Sequence, residues 1–285
     1  MNKKHAPAAG RPALQLLGTE PWRATREFLH LQISRLTQPE APRGDGHPVV
    51  VFPGLASDHR PLAPLLKHCR RLGYEALDWG RGFNAGPRGN TDAWLQDLAD
   101  ELQRRLRGRH LAPSFIGWSL GGLYARELAK LPGLAVRQVI TIGTPFNGSP
   151  QQTHAGWLYR LLGGSPDTLD PAMRRRLRTA PPVPTTSIYS RSDGIVAWQA
   201  CRHEPLSRHH RPQHPVEDIE VHGSHLGMGW NPRVLAIVAD RLAQDPDHWQ
   251  PYAATHPEAV SSQRRAWARG LPNRGSHPAA LQPSA

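Results

Sequence analysis

Apolar residues along this chain follow two repeating patterns between residues 21 and 243. Short runs of consecutive apolar residues predict buried strands, and the run at 48–52 indicates a parallel sheet covered on both faces. Segments between these runs carry apolar residues three or four positions apart, which predicts amphipathic helices. The predicted strands cover residues 48–52, 74–79, 113–116, 136–142, 185–189 and 219–221, and the predicted helices cover residues 21–37, 61–72, 91–107, 157–162, 171–178 and 232–243, with one more beginning at residue 123.

The alternation of strands and helices predicts one α/β domain over residues 21–243, built on a doubly wound and mostly parallel sheet. In such sheets, ligands bind outside the carboxyl ends of the strands. Residues 147–184 interrupt the alternation and are predicted to form an insert with short helical pieces. Residues 1–20 lack periodicity and are predicted to be a disordered tail. Residues 244–285 are dominated by Pro, His, Ser and Arg and are predicted to be a mostly disordered tail.

The composition is strongly basic, but the basic residues do not indicate a binding partner. The formal net charge is +12, but only four of the 35 basic residues are lysines, so the charge reflects an arginine-rich composition rather than a built patch. Aromatic residues are not interleaved with basic ones in the manner of a nucleic-acid surface. We therefore expect no nucleic-acid partner, and we leave transient contact with a membrane or lipid surface open.

The two cysteines, Cys69 and Cys201, fit neither a disulfide framework nor the ligand spacing of a metal site. No apolar stretch follows the basic residues near the N-terminus as it would in a secretory signal peptide. These observations predict a cytoplasmic protein in a reducing compartment, with no metal and no cofactor.

The most informative motif is Gly-x-Ser-x-Gly at 117–121, which follows a predicted strand and precedes a predicted helix. A strand that turns sharply into a helix holds the serine in a strained and exposed position, near the positive end of the helix. This context makes Ser119 the candidate nucleophile, and the alternative is an ordinary glycine-rich loop.

A serine nucleophile needs a base, and the base needs an acid that orients it. Asp193 lies in a turn just after the predicted strand 185–189, and His225 lies in a glycine-rich loop after the last predicted strand. The neutral imidazole would take the serine proton, and Asp193 would fix its tautomer. Alternatives for the acid are Asp167, Asp170 and Asp218, and the alternative for the base is His222.

An oxyanion hole needs two backbone donors. The N–H of Leu120 follows the candidate nucleophile directly. The N–H of Leu55, in the Pro53-Gly54-Leu55 run after the first predicted strand, is the candidate for the second donor. A plain strand-to-helix turn is the alternative for this run.

These motifs, together with Gly-Thr-Pro at 143–145, resemble the α/β-hydrolase superfamily, in particular its bacterial lipase- and esterase-like members. The resemblance covers roughly residues 48–243. It departs from the usual pattern at Pro53, where a histidine is common, and it lacks the N-terminal antiparallel strands. It therefore implies a reduced α/β-hydrolase fold of about six strands with a short helical cap insert.

The resemblance implies a serine-dependent hydrolase that cleaves a small-molecule carboxylic ester through an acyl-enzyme, with no obligate protein partner evident. It places a lid at 147–184, where an apolar cap would favour a lipid-like or medium-length acyl chain. The candidate substrate-binding residues in this cap are Trp157, Tyr159, Leu161 and Leu162. The alternatives are that these residues only pack the cap, that the same triad serves an acyltransferase or thioesterase, or that the chain is a non-catalytic binding protein of this fold.

Overall fold

The computed structural model describes residues 11–34, 43–148, 171–203, 214–245 and 248–256. The chain divides into two units, residues 1–249 and residues 250–285. The described part of the second unit holds one short helix, Tyr252–Thr255. The first unit contains the sheet and every other element described below.

The sheet has six strands that all run parallel, in the spatial order β2-β1-β3-β4-β5-β6. Every residue of β1, β3, β4 and β5 is buried, as the continuous apolar runs predict. The direction of strand addition reverses between β1 and β3, which opens a crevice at the carboxyl ends of these two strands. The strands are β1 Pro48–Phe52, β2 Glu75–Asp78, β3 Ser114–Trp118, β4 Gln138–Ile142, β5 Thr185–Ser190 and β6 Val216–Val221.

Helices cover both faces of the sheet. The helices of the first unit are α1 Leu14–Gly18, α2 Glu20–Ser34, α3 Ala63–Arg71, α4 Thr91–Leu106, α5 Leu120–Leu128, α6 Pro171–Arg178 and α7 Pro232–Leu242. One group (α4, α5 and α6) packs on the face that carries Val50 and Phe115, and the other (α2, α3 and α7) forms a second set of mutual contacts. The architecture is therefore doubly wound and matches the predicted α/β fold class.

Local signals explain where two of the helices begin. The side chain of Asn90 accepts a hydrogen bond from the N–H of Ala93 at 2.9 Å and starts α4. The side chain of Asn231 accepts one from the N–H of Arg233 at 2.9 Å, and Pro232 occupies the first position of α7.

Residues 11–20 differ from their prediction as part of a disordered tail over residues 1–20, of which residues 1–10 lie outside the described residues. Residues 14–18 form α1, and Glu20 begins α2 with a side chain that is almost fully buried. The physical reason is a long-range one: the Glu20 carboxylate accepts hydrogen bonds from backbone N–H groups of a loop about 200 residues further along the chain. A pattern of local hydrophobicity does not register such contacts.

The insert predicted at 147–184 is described only at its two ends. Trp157, Tyr159, Leu161 and Leu162 lie outside the described residues. Two side chains hold the returning helix α6: the fully buried Arg126 of α5 donates to the carbonyl of Leu177 at 3.3 Å, and Lys130, just after α5, donates to that of Arg176 at 2.6 Å. Across the part of the chain that the structure describes, no helix is long and apolar enough to cross a membrane.

Candidate active site

Ser119 lies between β3 and α5 with an unusual backbone conformation. Its φ is 53° and its ψ is −119°, a left-handed region that is strained for any residue with a side chain. The N–H of Ser119 donates to the carbonyl of Ile142 at 2.8 Å, which fixes the turn against the end of β4. Strain of this kind costs about 1–3 kcal/mol and persists only where the surrounding structure enforces it.

Two glycines let the helix after Ser119 pass close to the sheet. A Cβ atom on Gly117 would lie 2.3 Å from the Cα of Gly122, and one on Gly121 would lie 2.3 Å from the carbonyl oxygen of Phe52. No side chain fits at either position without moving the backbone. The turn at 117–121 is therefore the sharp strand-to-helix elbow that the motif predicts.

Asp193 and His225 are joined by a short hydrogen bond between Oδ2 of the carboxylate and Nδ1 of the imidazole, at 2.6 Å. Asp193 follows β5 and His225 follows β6, so the sheet brings together two loops that are 32 residues apart. The other carboxylate oxygen of Asp193 accepts from the N–H groups of Ile195 at 2.8 Å and Val196 at 2.7 Å. Both side chains are buried, which fixes the geometry of the pair. Nε2 is the ring nitrogen of His225 that does not bond to Asp193.

The His225 ring lies at the same edge of the sheet as Ser119. The indole N–H of Trp118, the residue before Ser119, donates to the carbonyl of His225 at 3.2 Å, and the two rings are 6.0 Å apart. A Cβ atom on Gly143, which follows β4, would lie 3.1 Å from Nδ1 of His225. The Ser119 hydroxyl and the His225 imidazole do not hydrogen-bond to each other here. Such bonds often tighten only when substrate is present.

The electrostatic surroundings of His225 favour its protonated form. Burial alone acts to lower the pKa of this imidazole. The charge of Asp193, its hydrogen bond and the charge of Glu20 outweigh burial, so the pKa of His225 is raised above its ordinary value. A buried histidine held in this way is suited to take up a proton during a reaction.

The Pro53-Gly54-Leu55 loop after β1 lies against the elbow. A Cβ atom on Gly54 would be 3.5 Å from the Cβ of Ser119. The buried Asn84, in the loop after β2, holds this loop by donating from its side-chain amide to the carbonyl of Pro53 at 2.8 Å. The role of Asn84 was not predicted from the sequence, because it depends on a contact between two loops. Convergence of the Leu55 and Leu120 N–H groups on one point stays a prediction.

The alternative acid and base residues lie elsewhere. Asp218 binds His203 through Nδ1 at 2.8 Å, whereas His225 binds Asp193. His222 is exposed, and its Nδ1 is 3.4 Å from the hydroxyl oxygen of Ser192. Asp167 and Asp170 lie outside the described residues. Among the candidates that the structure describes, Asp193 and His225 are the candidate acid and candidate base that a hydrogen bond joins.

A second hydrogen-bonded set of serine, histidine and aspartate lies at the amino ends of the strands, opposite the candidate active site. The hydroxyl of Ser114 is 2.8 Å from Nε2 of His47, whose Nδ1 is 2.5 Å from Asp45. Ser114 and His47 are completely buried at the amino ends of β3 and β1. Burial lowers the pKa of His47, against the opposing effect of Asp45. With no exposure and no backbone strain at the serine, this set has the character of a structural hydrogen-bond chain.

A cavity of about 840 Å³ opens beside the elbow. Its walls include Leu55, Trp118 and Leu226, the immediate neighbours of Gly54, Ser119 and His225. The helix α2 supplies a further wall that the sequence analysis did not predict. The lining residues are Ala24, Thr25, Phe28, Leu55, Ala56, Ser57, Asp58, Arg60, Pro61, Pro64, Phe83, Trp118, Leu226 and Trp230. The cavity is mostly apolar, which suits a hydrophobic group. Among the described residues, no three His, Cys, Asp or Glu side chains are grouped as a metal site would need.

Comparison with solved structures finds partial similarity to several hydrolases. The carboxylesterase CesB of Bacillus subtilis is 12% identical, over 79% of this chain and 98% of its own, with a TM-score of 0.48. A lipase of Bacillus licheniformis is 17% identical, over 73% of this chain and 95% of its own, with a TM-score of 0.48. Lipase B of Aspergillus fumigatus is 18% identical over 72% of this chain with a TM-score of 0.47, and this chain spans 55% of that longer protein. Comparison with protein-family models and with curated proteins gives no match.

Identities of this size do not carry residue roles from one chain to another, and a shared fold does not fix a function. The fold itself follows from the order of the strands and from the elbow. A six-stranded parallel sheet in the order β2-β1-β3-β4-β5-β6, with a strained serine between β3 and α5, is consistent with the reduced α/β-hydrolase fold that the sequence motifs predict.

Proposed function

We propose that this protein is a serine hydrolase that cleaves carboxylic esters through an acyl-enzyme, with Ser119 as nucleophile, His225 as base and Asp193 as the acid that orients the base. The observation that carries the proposal is the buried Asp193–His225 pair, at 2.6 Å, at the same edge of the sheet as the strained Ser119. Each of the three residues follows a different parallel strand, as ligand-binding residues do in this class of fold.

In the proposed reaction, Ser119 Oγ attacks the ester carbonyl carbon while its proton passes to Nε2 of His225. Asp193 holds the Nδ1 proton and stabilises the imidazolium. The N–H groups of Leu55 and Leu120 stabilise the negative charge that develops on the carbonyl oxygen. The intermediate then collapses, and His225 returns the proton to the departing alcohol. A water molecule, deprotonated by His225, next attacks the acyl carbon. The bond to Ser119 Oγ then breaks, and His225 returns the proton to that oxygen as the carboxylic acid leaves.

The apolar cavity beside the elbow supports an acyl chain as the group that binds next to the reacting carbonyl. Its walls adjoin the candidate residues on three sides, through Leu55, Trp118 and Leu226. Aliphatic and aromatic side chains favour a lipid-like or medium-length chain over a sugar or a charged group. We propose this cavity as the acyl site in addition to the cap residues predicted from the sequence.

Labelling with a fluorophosphonate tests the proposal, because this reagent captures an activated serine nucleophile. We expect the protein to be labelled, the Ser119→Ala variant to lose labelling and ester hydrolysis, and the Ser114→Ala variant to keep both. Loss of a nucleophile of this type lowers kcat by about 10⁴- to 10⁶-fold. Labelling that survives in Ser119→Ala or disappears in Ser114→Ala would place the nucleophile elsewhere.

A further inference from the structure

We propose that Glu20 is a positioning residue of the active site, whose carboxylate holds the turn that carries Asp193 and the loop that carries His225 in one fixed arrangement. The inference rests on the proposed function, since it assigns Glu20 a role toward those two residues. Glu20 belongs to α2, outside the sheet and before its first strand.

The carboxylate of Glu20 accepts hydrogen bonds from both loops. Its Oε1 accepts from the N–H of Gly194 at 2.7 Å and from the N–H of His225 at 3.0 Å. Its Oε2 accepts from the N–H of Leu226 at 3.0 Å. Gly194 directly follows Asp193, so one side chain bonds to the backbone beside the acid and to the backbone of the base itself. The two loops are thereby tied to each other through a third element.

The burial of Glu20 shows how strongly its position is determined. The residue is 1% exposed. A buried carboxylate is costly unless it is paired and hydrogen-bonded. Arg23, one turn further along α2, supplies the counter-ion at 2.8 Å and donates its other amino group to the carbonyl of Ser192. The carboxylate therefore has four donors, and any displacement of α2 would break bonds in both loops at once.

The turn after Asp193 also packs directly against α1 in the N-terminal segment. A Cβ atom on Gly194 would lie 2.4 Å from the carbonyl oxygen of Leu16 in α1. Only glycine fits this close approach, so the acid turn and α1 are in backbone contact. The contact adds to the bond from Gly194 to Glu20 and makes the N-terminal helices part of the support for the site.

A carboxylate suits this position better than any other side chain. It accepts hydrogen bonds at both oxygens, whereas the amide of glutamine would present a second donor to one of the N–H groups. Its charge also acts on His225. The charged groups that face this imidazole are Asp193 from the acid turn and Glu20 from α2, and both favour the imidazolium. Arg23 is the counter-ion of Glu20, at 2.8 Å from Oε1.

The test compares Glu20→Gln with two variants of the same helix. Glu27→Gln alters a second carboxylate of α2, which accepts from the N–H of Ser224 at 2.7 Å and from the side chain of Asn231 at 2.9 Å. Arg23→Gln removes the counter-ion and keeps the Glu20 carboxylate. Thermal unfolding would show how far each variant is destabilised. The pH profile of kcat/KM for a p-nitrophenyl ester would show whether the base has changed.

We expect Glu20→Gln to lower kcat by about 10²-fold with KM nearly unchanged, as a small misplacement of a base does. The acid limb of its profile should move to lower pH, because the lost negative charge had favoured the imidazolium. Glu27→Gln should lower the unfolding temperature without moving the acid limb, and Arg23→Gln should not move it to lower pH. An unchanged kcat and profile in Glu20→Gln, or equal shifts in Glu20→Gln and Glu27→Gln, would overturn the proposal.

An NMR titration of the His225 ring separates this proposal from the proposed function. The resonance is assigned by its absence in His225→Gln, and the measurement needs no catalytic activity. A lower pKa of His225 in Glu20→Gln would support the positioning role even if the wild-type protein hydrolysed no ester. An unchanged pKa together with an unchanged kcat, in an active enzyme, would refute the role of Glu20 and leave the hydrolase assignment standing.

Discussion

Ser114 and His47 form a buried hydrogen bond. We expect its loss to lower the stability of the fold without changing catalytic activity. Replacing Ser114 by alanine leaves Nε2 of His47 without its partner at a fully buried position. A buried polar group left unsatisfied costs about 1–3 kcal/mol. We expect Ser114→Ala to lower the free energy of unfolding by that amount in urea, while kcat stays at the wild-type level. A loss of activity without a loss of stability would contradict this division between the two serines.

The raised pKa of His225 predicts where activity fails as the pH falls. The base must be neutral to accept the proton of Ser119, and protonation removes it from action. Because Asp193 and Glu20 outweigh burial and favour the imidazolium, we expect the acid limb of kcat/KM to lie above 6.5, the ordinary value for histidine. The measurement is kcat/KM against pH with an ester of constant ionisation. A limb below that value would show that burial dominates at this site.

The geometry of the elbow depends on glycine residues. A Cβ atom on Gly122 would lie 1.9 Å from Oγ1 of Thr144, so Gly122→Ala must push α5 away from the loop after β4. Overpacking of this kind costs about 1–3 kcal/mol. We expect that loss in urea unfolding, together with a fall in kcat because α5 carries the turn at Ser119.

The matched control for this variant is Gly18→Ala. Gly18 closes α1, and no atom lies within 4 Å of the added methyl group. We expect a change in the free energy of unfolding within about 0.5 kcal/mol. A large effect at Gly18, or none at Gly122, would show that close packing at the elbow is not what makes glycine necessary there.

Sequence patterns predict the elements that depend on local signals. The elbow at 117–121 and the positions of Asp193 and His225 after strands follow from strand, turn and helix propensities read in order, and the fold confirms the predicted α/β class. Glu20 and Asn84 were missed for a common reason. Each bonds to backbone groups of a distant loop, and a single polar residue in a helix or loop leaves no periodic signal.

At the scale of the whole molecule, α2 occupies the stretch before β1, where the sequence predicts a helix and the antiparallel strands common in the superfamily are not evident. The first turn of this helix holds the loops of Asp193 and His225 through Glu20, and its following turns line the apolar cavity through Ala24, Thr25 and Phe28. Its role in the molecule therefore joins the support of the candidate active site to the shape of the candidate acyl site.

The cavity predicts a dependence of activity on acyl chain length. We expect kcat/KM for p-nitrophenyl esters to rise from acetyl to hexanoyl or octanoyl, by up to about fourfold for each buried methylene, which corresponds to about 0.8 kcal/mol. Phe28→Ala should flatten this rise, because Phe28 lines the cavity and packs edge-on against Trp230 at 6.2 Å.

Leu29→Ala is the matched control, since Leu29 is the next residue of the same helix and is exposed without lining the cavity. We expect it to keep the wild-type slope. A preference for acetyl esters that Phe28→Ala leaves unchanged would show that the acyl chain binds elsewhere and that this enzyme acts on small esters.

The two serines at opposite ends of β3 have a practical consequence for mapping a covalent adduct by mass spectrometry. Trypsin cleaves after Arg109 and next after Arg126, so Ser114 and Ser119 leave the protein on one peptide. The mass of that peptide alone gives the same answer whichever hydroxyl was modified. Only fragment ions that break the chain between Ser114 and Ser119 would tell the two sites apart. We expect Ser114, whose hydroxyl lies 2.8 Å from Nε2 of His47, to be the unmodified serine.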